Sequence, residues 1–387
     1  MTKDISIMQT IRFISIFLLL FSTLFAKVYF VSLKGDDKNK GDKTHPFKTL
    51  QKAIDTVKAG DMVFVRGGIY PLKGEFTTNG TKNAPIIFQP YKNERVIFEG
   101  KRRKEDKFWL LGSYLVLKNF EIRKGETGIV FSRYKDFKSS HNIIENINFY
   151  NHIFGGILIT KGASYNLILN CDSHDNFDPK NGGEHADGFA AKGFLEDKIP
   201  YIGKGNKFAG CRAYNNSDDG FDLWDAGEAV VIERCMSYSN GFDRWNFEKN
   251  SGRKFQGDGS GFKLGRSHPN IHNDTHKVTD SIAWENAYAG FDYSENYNTL
   301  YIYNNKAYLN PINYIFNSKK HILKNNLSLL PINRHFKGIK SNLFKNSWEK
   351  YSDKEIKKHI ISFDDTLLRG KRDKNGNLPK NDFLKFR

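Results

Sequence analysis

Cys171-Asp172-Ser173-His174-Asp175-Asn176, Cys211-Arg212-Ala213-Tyr214-Asn215-Asn216 and Cys235-Met236-Ser237-Tyr238-Ser239-Asn240 repeat one frame, small, any, small, aromatic, any, asparagine. The frame returns at Ser281, Ala283, Trp284 and Asn286, and at Asn305, Ala307, Tyr308 and Asn310. A looser copy places Asn146, Asn148, Phe149 and Asn151 before them. Most copies follow a short apolar run, such as Leu167-Ile168-Leu169 or Val230-Val231-Ile232. Most precede a second run holding Gly156-Ile157, Gly188-Phe189, Gly220-Phe221, Gly261-Phe262 or Gly290-Phe291. Short strands with Gly and Asn turns, recurring at a period in the twenties, mark a stacked solenoid. The expectation is an all-β chain, a single right-handed parallel β-helix. Asn151, Asn176, Asn216, Asn240, Asn286 and Asn310 should form an internal ladder, and Cys171, Cys211 and Cys235 should share one inward column.

The Gly-Phe pairs also set a register for chemistry. With each Phe pointing inward, the next residue points out, which gives an outward column of Ala190, Asp222, Lys263 and Asp292. Asp187 and Asp219 immediately precede their Gly, and Asp218 lies one residue further back, so Asp187, Asp218, Asp219 and Asp222 can converge over two adjacent rungs. Carboxylates so close repel unless a cation holds them, and Ca2+ is the oxygen-seeking ion that takes such ligands. The competing structural reading is ordinary Asp-Gly turn chemistry, with acids capping backbone amides at the corners. It leaves the lysine beside the acids unexplained.

The stretch from His185 to Gly265, with its Asp-Gly-Phe, Ser-Asp-Asp-Gly-Phe-Asp and Gly-Phe-Lys-Leu-Gly pieces, resembles the family 9 polysaccharide lyases, pectate lyases built on a right-handed parallel β-helix. The likeness extends more weakly from about Lys27 to the C-terminal Phe383-Leu384-Lys385. The resemblance implies Ca2+ binding by Asp187, Asp218, Asp219 and Asp222 and a catalytic base at Lys263. It also implies β-elimination, in which a lysine removes the C5 proton of a 4-linked uronate and the O4 leaving group departs. A lysine is a base only when neutral, so an alkaline optimum is expected.

Composition and the chain ends frame the site. The chain has 387 residues, 39% of them hydrophobic, enough for a large ordered core. Lys3 and Arg12 precede an apolar run from Phe13 to Ala26, which reads as a secretory signal, residues 1–26, and a secreted or periplasmic mature protein. An uncleaved anchor is the alternative, although the run is short for a span of roughly twenty residues. A net charge of +17 favours polyanions. Export argues against nucleic acid and leaves an acidic polysaccharide, polygalacturonate or a related polymer, as partner of a monomer without stable membrane association. Leu50, Ala53, Ile54 and Val57 predict an amphipathic helix over 44–59 that plugs the N-terminal end of the coil. Coils are expected from Asp61 to about Leu330 within a catalytic domain of 27–330. The polar, irregular tail of 331–387 should pack along the coil or over its far end.

Lys192 and Trp224 fall on the outward face of their rungs and Arg266 follows Lys263, so the three are candidates for substrate binding. The insertion between Asn240 and Gly261, with Phe242, Arg244, Trp245 and Arg253, can wall a groove. His272 and His276 lack the Glu of a zinc helix and read as a polar loop. Rival readings are a hydrolase using Asp218 and Asp219 as acid and base, a lyase for another uronate-containing polysaccharide, and a non-catalytic module binding acidic glycans through Ca2+.

Overall fold

The computed structural model describes residues 26–194, 197–199, 201–266, 274–340, 342–373 and 376–386. The residues before Ala26, expected as a secretory signal, and His272 of the histidine pair lie outside the described residues. Among the described residues no helix is long and apolar enough to cross a membrane.

Three long sheets wind round one core. One has 12 strands, from Val28–Val31 to Leu343–Phe344, and the other two have 10 each, all paired in parallel between successive coils. Each coil turns its corners on single left-handed residues, as at Asn170 (φ 52°) and Asn215 (φ 57°), a conformation asparagine tolerates because its short side chain can bond locally. The first sheet starts earlier than the sequence suggests. Val28–Val31 pairs with Met62–Val65, so the coil begins some thirty residues before Asp61. It also ends later, because Arg334–Gly338 and Leu343–Phe344 continue two of the sheets past Leu330.

The N-terminal helix is shorter than 44–59, spanning Leu50–Thr56. Phe47 bridges to Val31 in a strand-like pairing, and one carboxylate oxygen of Asp37 accepts from the backbone of Lys48 and Thr49, which fixes the chain before the helix. Thr49 then caps it by accepting from the Lys52 amide, and Val57 ends it in extended conformation. Leu50, Ala53 and Ile54 are buried in the same core as the first strands.

The asparagine ladder runs Asn176 to Asn216 (2.7 Å), Asn216 to Asn240 (2.9 Å), Asn240 to Asn286 (2.9 Å) and Asn286 to Asn310 (3.0 Å), each Nδ2 donating to the next Oδ1. Asn151 is not part of it. Asn148 pairs with Asp172, so the looser copy is one residue out of register and His152 takes the ladder position, its amide donating to Asn176 Oδ1. Further ladders, unseen in the repeat, join Asn142, Asn166 and Asn206 and then Asn305, Asn326 and Asn346. Cys171, Cys211 and Cys235 are buried free thiols.

The tail lies along the flank of the coil. Ile356, Ile360, Leu368, Phe383 and Leu384 cover Tyr238, Trp284, Leu327 and Leu329, which project from one sheet. Arg372 reaches back to Asp172, where Arg212 also binds, making a buried Arg–Asp–Arg cluster. Ile361, Phe363 and Leu367 of the tail are exposed.

Candidate active site

The third column of strands carries the site, and its register follows the Gly-Phe frame. Phe189, Phe221, Phe262, Phe291 and Tyr314 stack inward with ring centroids 4.8–5.2 Å apart. Glycine precedes the Phe residues because a side chain there would strike the next rung. A Cβ on Gly220 would lie 1.9 Å from Ser237 Oγ and 2.7 Å from Gly261 O. One residue after the Phe, Ala190, Asp222, Lys263 and Asp292 pair in succession on the outer face, in the expected order.

The structure brings the four acids and Lys263 together, all four carboxylates buried. Asp187, Asp218 and Asp219 each offer an oxygen within 4.8 Å of the others. Turn amides hold them in place. His185 N donates to Asp218 Oδ2 (2.7 Å), Asp258 N to Asp218 Oδ1 (2.7 Å), Ser260 N to Asp219 Oδ1 (2.7 Å) and Trp224 N to Asp222 Oδ1 (2.9 Å). The turn-capping reading is therefore correct in part: turn amides take both oxygens of Asp218, whereas Asp187, Asp219 and Asp222 each keep Oδ2 clear of them.

Those oxygens face two lysines. Lys192 Nζ binds Asp187 Oδ2 at 2.7 Å and also Asp222 Oδ2, so Lys192 stands inside the acid cluster as its counter-charge. Lys263 Nζ lies 3.0 Å from Asp219 Oδ2 and 2.6 Å from Asp258 Oδ2. Burial, together with the charges of Asp222 and Asp218, pushes Asp187 up to about 8 despite Lys192. Burial likewise raises Asp218 and Asp219. Asp222 is lowered, because Lys192 and Lys263 together outweigh its desolvation. Burial opposes the charge of Lys263, yet Asp219, Asp222, Asp218 and Asp258 raise its pKa.

Asp258 escaped the sequence reading. It comes from the insertion, whose short helix Phe247–Ser251 and following loop pack on Asp178–Gly183 through Arg253 Nη2 to Lys180 O and Gln256 N to Gly182 O. The signal was the Gly257-Asp258-Gly259 turn just before Gly261-Phe262, the same neighbourhood that carries Asp187 and Asp219 in their rungs. Trp224 lies under both Lys263 and Arg266, whose cationic groups stand 5.3 and 4.6 Å from its ring centroid, and Arg266 is paired with Asp225. Beyond Lys263 a cleft of about 580 Å³ opens between Trp224, Tyr288, Asp292 and Lys337. Before Asp187 a smaller one of about 200 Å³ lies between Phe154, Leu158, Ala190 and Phe194. The acids and Lys263 thus sit midway along an open groove on one face of the coil.

A family model for the Pel9A-like right-handed β-helix region matches residues 29–326. Pectate lyase L of Dickeya dadantii is 32% identical over 380 residues, 93% of this chain and 84% of that protein. The crystal structure of pectate lyase Pel9A superposes with a TM-score of 0.78 at 30% identity, covering 93% of this chain and 89% of that one. A rhamnogalacturonan lyase superposes with a TM-score of 0.70 at 26% identity, over 94% and 97% of the two chains. The fold and site thus define a polysaccharide lyase on a right-handed parallel β-helix. This chain belongs to the Pel9A-like β-helix family, whose relatives include pectate lyases.

Proposed function

We propose that the chain is an exported pectate lyase that cleaves polygalacturonate by β-elimination, with Ca2+ held by Asp187, Asp218, Asp219 and Asp222 and with Lys263 as the base. The observation that carries this reading is the register pair Asp222 and Lys263, which sets an amine at the edge of a buried carboxylate cluster in the middle of an open groove.

The donor set suits the ion. It offers carboxylate oxygens alone, three of them within 4.8 Å of one another, and burial drives Asp187 toward protonation unless positive charge is supplied. Ca2+ bound there would offset the C6 carboxylate of the uronate and so favour loss of the C5 proton. Lys263 takes that proton. The C5–H electron pair becomes the C4–C5 double bond, and the C4–O4 bond breaks with its electrons leaving on O4. Asp219 and Asp258 position the amine at 3.0 and 2.6 Å, and Trp224 packs beneath it. Because the surrounding acids hold a proton on Lys263, activity should rise toward alkaline pH.

The test is ultraviolet absorbance of the mature protein with polygalacturonate at alkaline pH, with Ca2+ and again with a chelator. A rise that the chelator abolishes reports the unsaturated product and the metal together, while a saturated reducing end without absorbance would favour a hydrolase. The second reading is a lyase for a different uronate-containing backbone, favoured by the likeness to a rhamnogalacturonan lyase. A binding module without turnover would leave absorbance flat on every uronate polymer. Export rests on the basic and apolar character of residues 1–26, and the appearance of active protein outside the cytoplasm tests it.

A further inference from the structure

The carboxylate oxygens that stand clear of the turn amides each meet an amine. Asp187 Oδ2 and Asp222 Oδ2 both meet Lys192 Nζ, the first at 2.7 Å, and Asp219 Oδ2 meets Lys263 Nζ at 3.0 Å. Lys263 has a further anion in Asp258, which lies outside the proposed Ca2+ set. Among the described residues Lys192 has no such second partner. Both of its ion pairs go to acids of that set, on two neighbouring rungs. The oxygens open to an ion are therefore the ones that Lys192 occupies. The same lysine lines the smaller cleft, together with Phe154, Leu158 and Phe194.

An ammonium hydrogen-bonded to two oxygens and a metal ion coordinated by the same two would be like charges in near contact. At a buried site little solvent screens them, so one must give way. The amine is the one able to move. It rides on a flexible aliphatic stem beside an open cleft, whereas the acids are fixed by strand pairing and by turn amides. Resting on the lyase reading above, we propose that Lys192 is a tethered counter-cation that exchanges with Ca2+. Loading the ion moves the amine off Asp187 and Asp222 into the smaller cleft, where it is free to meet a carboxylate of the acidic polymer. Lys192 then lowers the affinity for Ca2+, because the ion has to break two ion pairs to bind. It also makes metal and polymer reinforce one another, since the charge that faces the polymer is released only in the loaded protein.

The exchange can be measured without turnover. Calorimetric titration with Ca2+ compares the mature wild-type protein with Lys192→Met, whose apolar side chain has nearly the same length. The variant should bind the ion about tenfold more tightly, within the usual range of coupling between two ligands. Lys192→Arg, which keeps the cation, should stay near the wild type. Where the methionine variant does not fold, Lys192→Gln carries the same expectation. Acetylation of lysine amines, read residue by residue by peptide mass, supplies the second arm. Lys192 should label several-fold faster with Ca2+ than with a chelator, while the remote, exposed Lys34 keeps its rate. A Ca2+ affinity that holds or falls in the uncharged variants, or Lys192 labelling that Ca2+ leaves unchanged, would overturn the proposal. A wild type that binds no Ca2+ sinks the metal assignment of the lyase reading itself, an outcome distinct from a bound ion that leaves Lys192 in place.

Discussion

At the scale of single residues, Lys263 and the acids beside it make separable predictions. Lys263→Ala should lower turnover by about 10³-fold, within the range of a positioned base, while leaving Ca2+ binding in place. Binding is read as the rise in thermal midpoint on adding Ca2+, worth about 2.7 kcal/mol when the free ion is a hundredfold above its Kd. Asp219→Ala should abolish that rise, and an unchanged Ca2+-dependent shift in this variant would remove Asp219 from the proposed ligand set. His152 supplies a pH prediction away from the site. Burial holds its pKa down at about 3, and the ring accepts from Gly125 N while its other nitrogen meets Ile122 O. The unfolded chain takes up a proton near pH 6.5 and the folded chain does not, so stability is retained above pH 6.5 and lost as pH falls toward 3. One such ring costs about 2 kcal/mol at pH 5. His276, lowered to about 3, and His321, lowered to about 4, add losses of the same sign. Since asparagine fills the equivalent place in the next rung, His152→Asn should flatten the melting profile between pH 7 and 5. A profile as steep as the wild type's would count against this account.

At the scale of elements, the ladders show which parts of the sequence could be read and which could not. Asn176 through Asn310 were legible because each sits at a fixed offset from an aromatic residue, whereas Asn142, Asn166 and Asn206 precede apolar runs with no other marker. Asn151 misled because an asparagine at a corner and one in the ladder look alike in sequence. The pairing of Asn148 with Asp172 assigns Asn151 to the left-handed corner (φ 60°). The acids and Lys263 could be placed from the Gly-Phe register, since a rung fixes its neighbour's side-chain direction. Asp258 could not, because a loop inserted between rungs obeys no such register. Lys192 was placed on the correct face, but its partners depend on a side chain long enough to reach two rungs. Removing a ladder member tests the element directly. Asn216 accepts from Asn176 and donates to Asn240 and to Ser173 O, so Asn216→Ala strands several buried groups. It should cost about 3 kcal/mol in a denaturant titration. A loss under about 0.5 kcal/mol, the size of an ordinary surface change, would deny the ladder a structural role.

At the scale of the whole molecule, the early start of the coil at Val28 and its late end at Phe344 changed the expected outline most, whereas the tail packs along the flank, one of the two placements expected of it. The first strand's place in the coil was hidden because its partner lies beyond the intervening helix, whereas the tail holds to the flank by a few apolar anchors among charged residues. Its hold on the coil centres on Asp172, buried between Arg212 and Arg372. Asp172→Ala leaves two buried guanidinium groups without their carboxylate and should destabilise the protein by about 3–5 kcal/mol, whereas an unchanged denaturant midpoint would show the cluster to be expendable. The same cluster has a mechanical consequence. The hydrogen bonds of the sheets run along the coil axis, so a force applied to the chain ends can peel one turn at a time. Each 24-residue turn, the interval between Asn216 and Asn240, would release a contour length of about 80 Å. Arg372 fastens the tail to a rung far back in the coil, so a pull on the C-terminus should meet this latch once the contacts of Phe383 and Leu384 have parted. Its rupture should appear as a single high peak ahead of a regular sawtooth.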